Sequence, residues 1–189
     1  EIHPIRQMTG EAELNSVFFD GAVTEADCIV GQPGEGWKVA MALLGFERGV
    51  STLGQQMHFI HELQLVIDVA RASGAAKDPS IRQRIADAWA GLQGLRYNGL
   101  RMLEEDTGST RVRPEALIYK YAWSNWHREL GQLAMDVIGV AGDVRSDDDA
   151  VRRLQQVFFF SRADTIYAGT NEIQLNIIAE RGLGMPRGA

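Results

Sequence analysis

Ile166-Tyr167-Ala168-Gly169-Thr170-Asn171-Glu172-Ile173-Gln174-Leu175-Asn176-Ile177-Ile178-Ala179 is the stretch from which the rest of the chain can be read. Gly169 marks a tight turn, and the spacing beyond it predicts an amphipathic helix with Ile173, Ile177 and Ile178 on one face. A helix that begins at such a turn aims free backbone N–H groups and a partial positive charge at whatever precedes it. Physics alone leaves two readings open: a short closing helix with a small-residue entry, or a helix start that faces a ligand.

Working back from this stretch, Ser146-Asp147-Asp148-Asp149 reads as a loop whose aspartates suit the next helix N-terminus. Three adjacent aspartates can also resemble a cation site, but a solvated loop is the preferred reading. A helix over 149–161 follows, with the apolar run Val157-Phe158-Phe159-Phe160. Before it, another helix runs from near Pro114 through Leu117, Ala122, Trp126, Leu130, Leu133 and Val137 to Gly142. Asp106-Thr107-Gly108-Ser109 is a polar loop. Asp78 is a good N-cap with Pro79 at the first helical position, and Ile81, Ile85, Ala88, Leu92, Leu95 and Met102 continue the stripe.

Earlier still, Trp37, Met41, Leu44, Arg48, Leu53, Met57, Ile60, Leu63 and Ile67 recur at steps of three and four, with one skip near Gly49. They predict one helix to about Ala72, roughly 50 Å long at the standard rise per residue, closed by Ser73-Gly74. Leu14–Asp20 and Gly21–Thr24 read as one or two short strands broken at Asp20-Gly21. Alone they are too few for a stable sheet, so they read as the tail of a larger one. The expected fold is mainly α: an antiparallel up-and-down helical bundle over 33–189, preceded by short β-strands left from a β-domain that ends over 1–32. Aromatics on more than one face (Trp89, Trp123, Trp126, Phe158–Phe160) fit either one large core or burial against a second copy.

Composition narrows the function. The 189 residues are 45% hydrophobic with a net charge of −6, and no basic cluster with interleaved aromatics supports nucleic-acid binding. The lone Cys28 excludes an internal disulfide and a cysteine metal cage. His58 and His61 lack a partner at metal-ligand spacing and read as half-exposed helix residues, so no metal is expected. An unrelated metal-binding bundle needs Glu-x-x-His pairs, and none occur. No segment of about 20 apolar residues and no cleavable leader are visible, so the expectation is a cytoplasmic protein without membrane contact.

Tyr167-Ala168-Gly169-Thr170-Asn171-Glu172-Ile173-Gln174, followed by Ile177-Ile178-Ala179-Glu180-Arg181, closely resembles the C-terminal signature of the acyl-CoA dehydrogenases. Ile5-Arg6-Gln7-Met8-Thr9-Gly10, Phe18-Phe19-Asp20, Val30-Gly31 and Gly34-Glu35-Gly36-Trp37 extend the resemblance over nearly the whole chain. The resemblance implies FAD as cofactor, an acyl-CoA thioester as substrate and a place in fatty acid metabolism. It also implies a homo- or hetero-oligomer, a dimer of dimers. A family member carries a helical domain and most of a β-domain before this point, so the chain is expected to be a piece of a longer protein.

In the commonest family pattern position 168 is the glutamate that removes the substrate α-proton, and alanine cannot do so. Members similar to the isovaleryl and long-chain types place the base in a Glu-Arg pair on the first long helix, with a small residue at the terminal site. Leu44-Gly45-Phe46-Glu47-Arg48-Gly49 together with Ala168 shows both halves of that exchange. The resemblance therefore implies Glu47 as base and Arg48 as a pocket-lining charge. Leu43, Leu44, Phe46 and Val50 around Glu47 would raise its pKa by desolvation. By the same resemblance Tyr167 walls the substrate slot, Phe46 and Gly45 line it, and the backbone N–H of Ala168 donates to the thioester oxygen. Gly169 permits close backbone approach, and Thr170 and Glu172 contact FAD.

Two runs depart from the family pattern. Where members carry Arg-x-x-Phe-Gly this chain has Arg71-Ala72-Ser73-Gly74, and where they carry Gln-x-x-Gly-Gly it has Asp136-Val137-Ile138-Gly139-Val140. Both runs reach the FAD of a neighbouring subunit in the family, and Asp136 would set a negative charge near a pyrophosphate. The resemblance so points to assembly with a related subunit and FAD at only some interfaces. A second reading, from another class, is a non-catalytic helical module that oligomerises or completes a partner's flavin site.

Overall fold

The computed structural model describes residues 1–50, 52–103 and 114–187, the side chains of 45–50, 52–53, 103 and 114 excepted. The chain is mainly helical and divides into two compact units, Glu1–Ser51 and Thr52–Ala189.

In the first unit, strand β1 (Ile2–Ile5) pairs antiparallel with β2 (Leu14–Val17), in a register that runs from Ile2 opposite Val17 to Ile5 opposite Leu14. Of the one or two strands expected over Leu14–Thr24, one forms, and Gly21–Thr24 is not a strand. Gly21 adopts a φ of +60°, a left-handed conformation that turns the chain out of the extended path. A short 3-10 turn (Ala26–Cys28) leads to helix α1 (Gly36–Val50). Ile2, Val17, Phe18, Phe19 and Trp37 are exposed, as a two-stranded ribbon buries little apolar surface by itself.

The second unit is the helical bundle: α2 (Thr52–Ser73), α3 (Pro79–Leu103), α4 (Pro114–Ile138), α5 (Asp149–Asp164) and α6 (Asn171–Ile177). The single helix expected from about 37 to 72 is recorded as α1 and α2, on either side of position 51, which lies outside the described residues. The polar loop at Asp106–Ser109 lies outside them too.

Local signals set the helix ends. Asp78 Oδ1 accepts from the Ser80 N–H at 2.7 Å, and Asp148 Oδ1 accepts from Ala150 and Val151 at 2.8 and 3.2 Å. The aspartate run at 147–149 is thus a helix cap, and among the described residues no acidic or histidine group is placed to hold a metal ion. Gly139, at φ +57°, ends α4 and starts a 3-10 turn (Gly139–Asp143).

Helix α4 occupies the middle of the bundle and packs against α2, α3 and α5. Leu130, Leu133, Ala134 and Val137 meet Leu154 and Val157 of α5, Phe59, Leu63 and Val66 of α2, and Leu92 and Leu95 of α3. Glycines allow the closest crossings. A Cβ on Gly131 would lie 2.5 Å from Ser161 Oγ and 3.1 Å from the Phe158 backbone, and one on Gly91 would lie 2.7 Å from the Trp126 ring. Trp126 itself donates its indole N–H to the Ala88 carbonyl at 2.8 Å, so Trp123 and Trp126 serve the core, whereas Trp89 is exposed.

The closing helix departs from its expected orientation. Ile173 is 50% exposed, whereas Asn171 and Gln174 are buried, because these two amides supply the hydrogen bonds that fix the preceding turn. After α6 the chain continues in a π-helical turn (Ile178–Gly182). Among the described residues no helix is long and apolar enough to cross a membrane.

Gly131→Ala is expected to destabilise the chain by about 1–3 kcal/mol through overpacking, although alanine is the better helix former. Chemical denaturation of the two forms measures the difference, and a stabilised variant would contradict this account of the α4–α5 crossing.

Candidate active site

The turn between α5 and α6 is over-determined by hydrogen bonds. The Ile166 and Tyr167 N–H groups both donate to the Ala163 carbonyl, at 2.8 and 3.0 Å, and the Asn171 N–H donates to the Thr165 carbonyl at 3.0 Å. From α4, Lys120 Nζ reaches the Asp164 carbonyl at 2.7 Å and Asn171 Oδ1 at 3.3 Å, and Ser124 Oγ donates to the same amide oxygen at 2.9 Å. Burial pushes the Lys120 ammonium pKa down, while Asp164 and Glu172 oppose that shift.

Within this frame Ala168 and Gly169 take left-handed conformations, with φ of +53° and +86°. For alanine that geometry costs about 1–2 kcal/mol, which the surrounding bonds hold in place. The Ala168 carbonyl is tied back by Gln174 Nε2 at 3.1 Å, and a Cβ on residue 169 would lie 2.8 Å from that nitrogen. Ala168 itself is exposed, and no acceptor among the described residues takes its N–H. Thr170 caps α6 by accepting from the Ile173 N–H at 3.3 Å. Glu172, fully exposed, has its pKa held below the usual range by its own backbone N–H, by Thr170 and by Lys120.

Behind the turn lies a buried charged chain. His127 Nδ1 is hydrogen-bonded to Asp164 Oδ2, and Asp164 Oδ1 accepts from the Tyr167 hydroxyl at 2.7 Å. On its other side His127 Nε2 lies 2.9 Å from Glu62 Oε2, an ion pair off the line of a good hydrogen bond. The other oxygen of Glu62 meets the exposed His58 at 3.1 Å. Phe59 covers the imidazole at 4.7 Å between ring centroids. Burial alone lowers the His127 pKa, but the hydrogen bond to Asp164 and the close negative charges of Asp164 and Glu62 together outweigh it and raise it to about 9. The histidine is therefore an imidazolium at neutral pH.

The expected site residues divide between the two units. Gly45, Phe46, Glu47 and Arg48 belong to α1, with their side chains outside the described residues. Tyr167, Ala168, Gly169, Thr170 and Glu172 are brought together at the turn of the second unit. Sequence reasoning missed Glu62, Lys120, His127, Asp164 and Gln174. Two signals were available: the four-residue step from His58 to Glu62, and a histidine set among the core positions Trp123, Trp126 and Leu130.

The far end of α4 carries a different electrostatic surface. A cleft of about 950 Å³ lined by Asp78, Arg84, Asp136 and Asp143 opens between α3, α4 and α5. Arg84 is spent on Asp136 at 2.6 Å, which leaves the cleft acidic.

Residues 34–183 match the family described as acyl-CoA dehydrogenase, C-terminal domain. The chain belongs to the acyl-CoA dehydrogenase family. Acyl-CoA dehydrogenase IpdE1 of Mycolicibacterium smegmatis is 52% identical over 188 residues, which are 99% of this chain and 46% of that protein. Two solved structures share the fold over 100% of this chain, each with a TM-score of 0.82. One is titled a Tcur3481-Tcur3483 steroid ACAD (23% identical, 49% of that chain covered), the other the ChsE4-ChsE5 complex from Mycobacterium tuberculosis (21%, 50%). The chain spans about half the length of the curated relatives it matches.

His127 makes stability depend on pH in a definite direction. Because its folded pKa lies above the unfolded value of 6.5, its contribution is complete below that value and is lost as pH rises through about 9. The stability gap between the parent and His127→Gln is expected to narrow by on the order of 3 kcal/mol across that window. Denaturant titrations at several pH values measure it.

Proposed function

We propose that this chain is the C-terminal part of a flavin-dependent acyl-CoA dehydrogenase that introduces an α,β double bond into an acyl-CoA thioester. The observation that carries this reading is the Ala168 N–H, exposed in a turn whose backbone is fixed on both sides. A donor held rigidly where negative charge develops stabilises an enolate-like transition state without reorganising. Glu47 is the base that accepts the α-proton, and Arg48 orders the pocket electrostatically. Tyr167 walls the slot, which Phe46 and Gly45 line. Gly169 lets the ligand approach the backbone.

FAD supplies the acceptor for the β-hydrogen, which leaves as hydride. The two surfaces implied to meet it differ in fit. The closing turn suits it, with Thr170 and Glu172 at the start of α6. The acidic cleft at Asp136 does not suit the pyrophosphate of a neighbour's flavin, because Arg84 is already neutralised there. This asymmetry supports a hetero-oligomer with a related subunit and FAD at only some interfaces. The same asymmetry is what favours the second reading, a non-catalytic module that completes a partner's site.

In the full-length, FAD-loaded assembly, Glu47→Gln is expected to lower turnover by at least about a hundredfold, the loss of a general base. Unchanged turnover leaves the non-catalytic module standing. Flavin absorbance against protein concentration should give fewer than one FAD per chain, and a homotetramer with full occupancy counts decisively against mixed assembly. Titrating that flavin spectrum with straight-chain acyl-CoAs and with a steroid-derived acyl-CoA decides the acyl class.

A further inference from the structure

Helices α2, α4 and α5 each send one ionisable side chain to a single buried point, and that point is linked to the closing turn. Glu62 comes from α2, His127 from α4 and Asp164 from the last turn of α5. Asp164 spends one oxygen on the imidazole and the other on the Tyr167 hydroxyl, the residue directly before Ala168. The Tyr167 ring is in turn held between Trp123 and Phe160, each 6.4 Å away between centroids.

We infer that His127 is a positioning residue, acting through Asp164 and the Tyr167 hydroxyl on the backbone that presents the Ala168 N–H. The inference rests on the reading of that N–H as the thioester donor.

The chemistry of the imidazole makes the link conditional. As imidazolium it has two N–H groups, one for each carboxylate. Neutral, it keeps one N–H and turns a lone pair towards the other carboxylate, at 2.9 Å on the Glu62 side. The buried Asp164 and the partly buried Glu62 then face each other without a cation between them, which is unfavourable for both contacts. If Asp164 moves, its bond to the Tyr167 hydroxyl is lost and the turn is held by fewer bonds. The other charged groups nearby act on the carboxylates. His58 pairs with Glu62 from α2, Arg162 acts on Asp164 along α5, and Lys120 of α4 holds the Asp164 carbonyl. The latch is closed at neutral pH and opens as pH passes about 9.

The test is hydrogen exchange of the backbone over 165–171 in the full-length assembly, followed across that pH range and corrected for intrinsic exchange. In the parent, protection should fall by at least about tenfold as the imidazole loses its proton. Tyr167→Phe keeps the His127–Asp164 contact and removes the hydroxyl link, so protection at neutral pH should fall below the parent's and the pH step should vanish. His127→Gln should give the same flat profile. Parent-like protection with the parent's pH step in Tyr167→Phe would overturn the inference, whatever the turnover. Turnover tests the other reading separately: Glu47→Gln with full activity sinks the proposed base while leaving the exchange profile of this turn as it was.

Discussion

A positive charge buried between two negative ones governs how this bundle closes. Removing ions from water is expensive, and a buried pair offsets that cost only when its geometry is good and its remaining polar atoms are satisfied. His127 faces Asp164 with one ring nitrogen in a hydrogen bond and Glu62 with the other as an ion pair, under the aromatic cover of Phe59. Loss of one member would strand a charge in the interior, so α2, α4 and α5 are held to one mutual arrangement. The arrangement reaches beyond the core because Asp164 ends α5 and its second oxygen holds Tyr167.

Packing makes that meeting possible. Gly131 lets α5 approach α4 closely enough for Ser161 and Phe158 to touch its backbone, and Asp164 lies one turn further along the same helix. Lys120 and Ser124, on the same α4, then clamp the other side of the turn through the Asp164 carbonyl and the Asn171 amide. An alanine in left-handed geometry is unfavourable by itself, and it persists here because its neighbours leave no alternative path. The result is a short exposed peptide of defined orientation on a rigid support, as a pre-organised donor requires.

The two ends of α4 serve opposite electrostatic purposes. At one end a cationic lysine and a protonated histidine stabilise the back of the closing turn. At the other, Asp136 and its flanking aspartates make an acidic cleft, with Arg84 already committed. A single helix thus carries cationic groups behind the closing turn at one end and lines an acidic cleft at the other.

Several parts of this architecture were legible because they depend on residues only a few positions apart. Asp78 with Pro79, and Asp148 before α5, announce helix starts by satisfying nearby N–H groups. The stripes of α3 and α4 follow from the helical repeat, and the Tyr167–Gln174 run identified the family. The sequence misled where a local rule met a distant partner. Ile173 matched the apolar face but is exposed, since Asn171 and Gln174 are needed inside, and Gly21 turned a promising strand away. The sequence by itself determined the helices, their caps and the family signature, all consequences of short-range backbone chemistry. Only the tertiary structure decided that Glu62, His127 and Asp164, 65 and 37 residues apart, would share one buried site. The reason is that burying a charge is favourable only once a partner arrives from another helix, and nothing in the neighbouring sequence records that arrival.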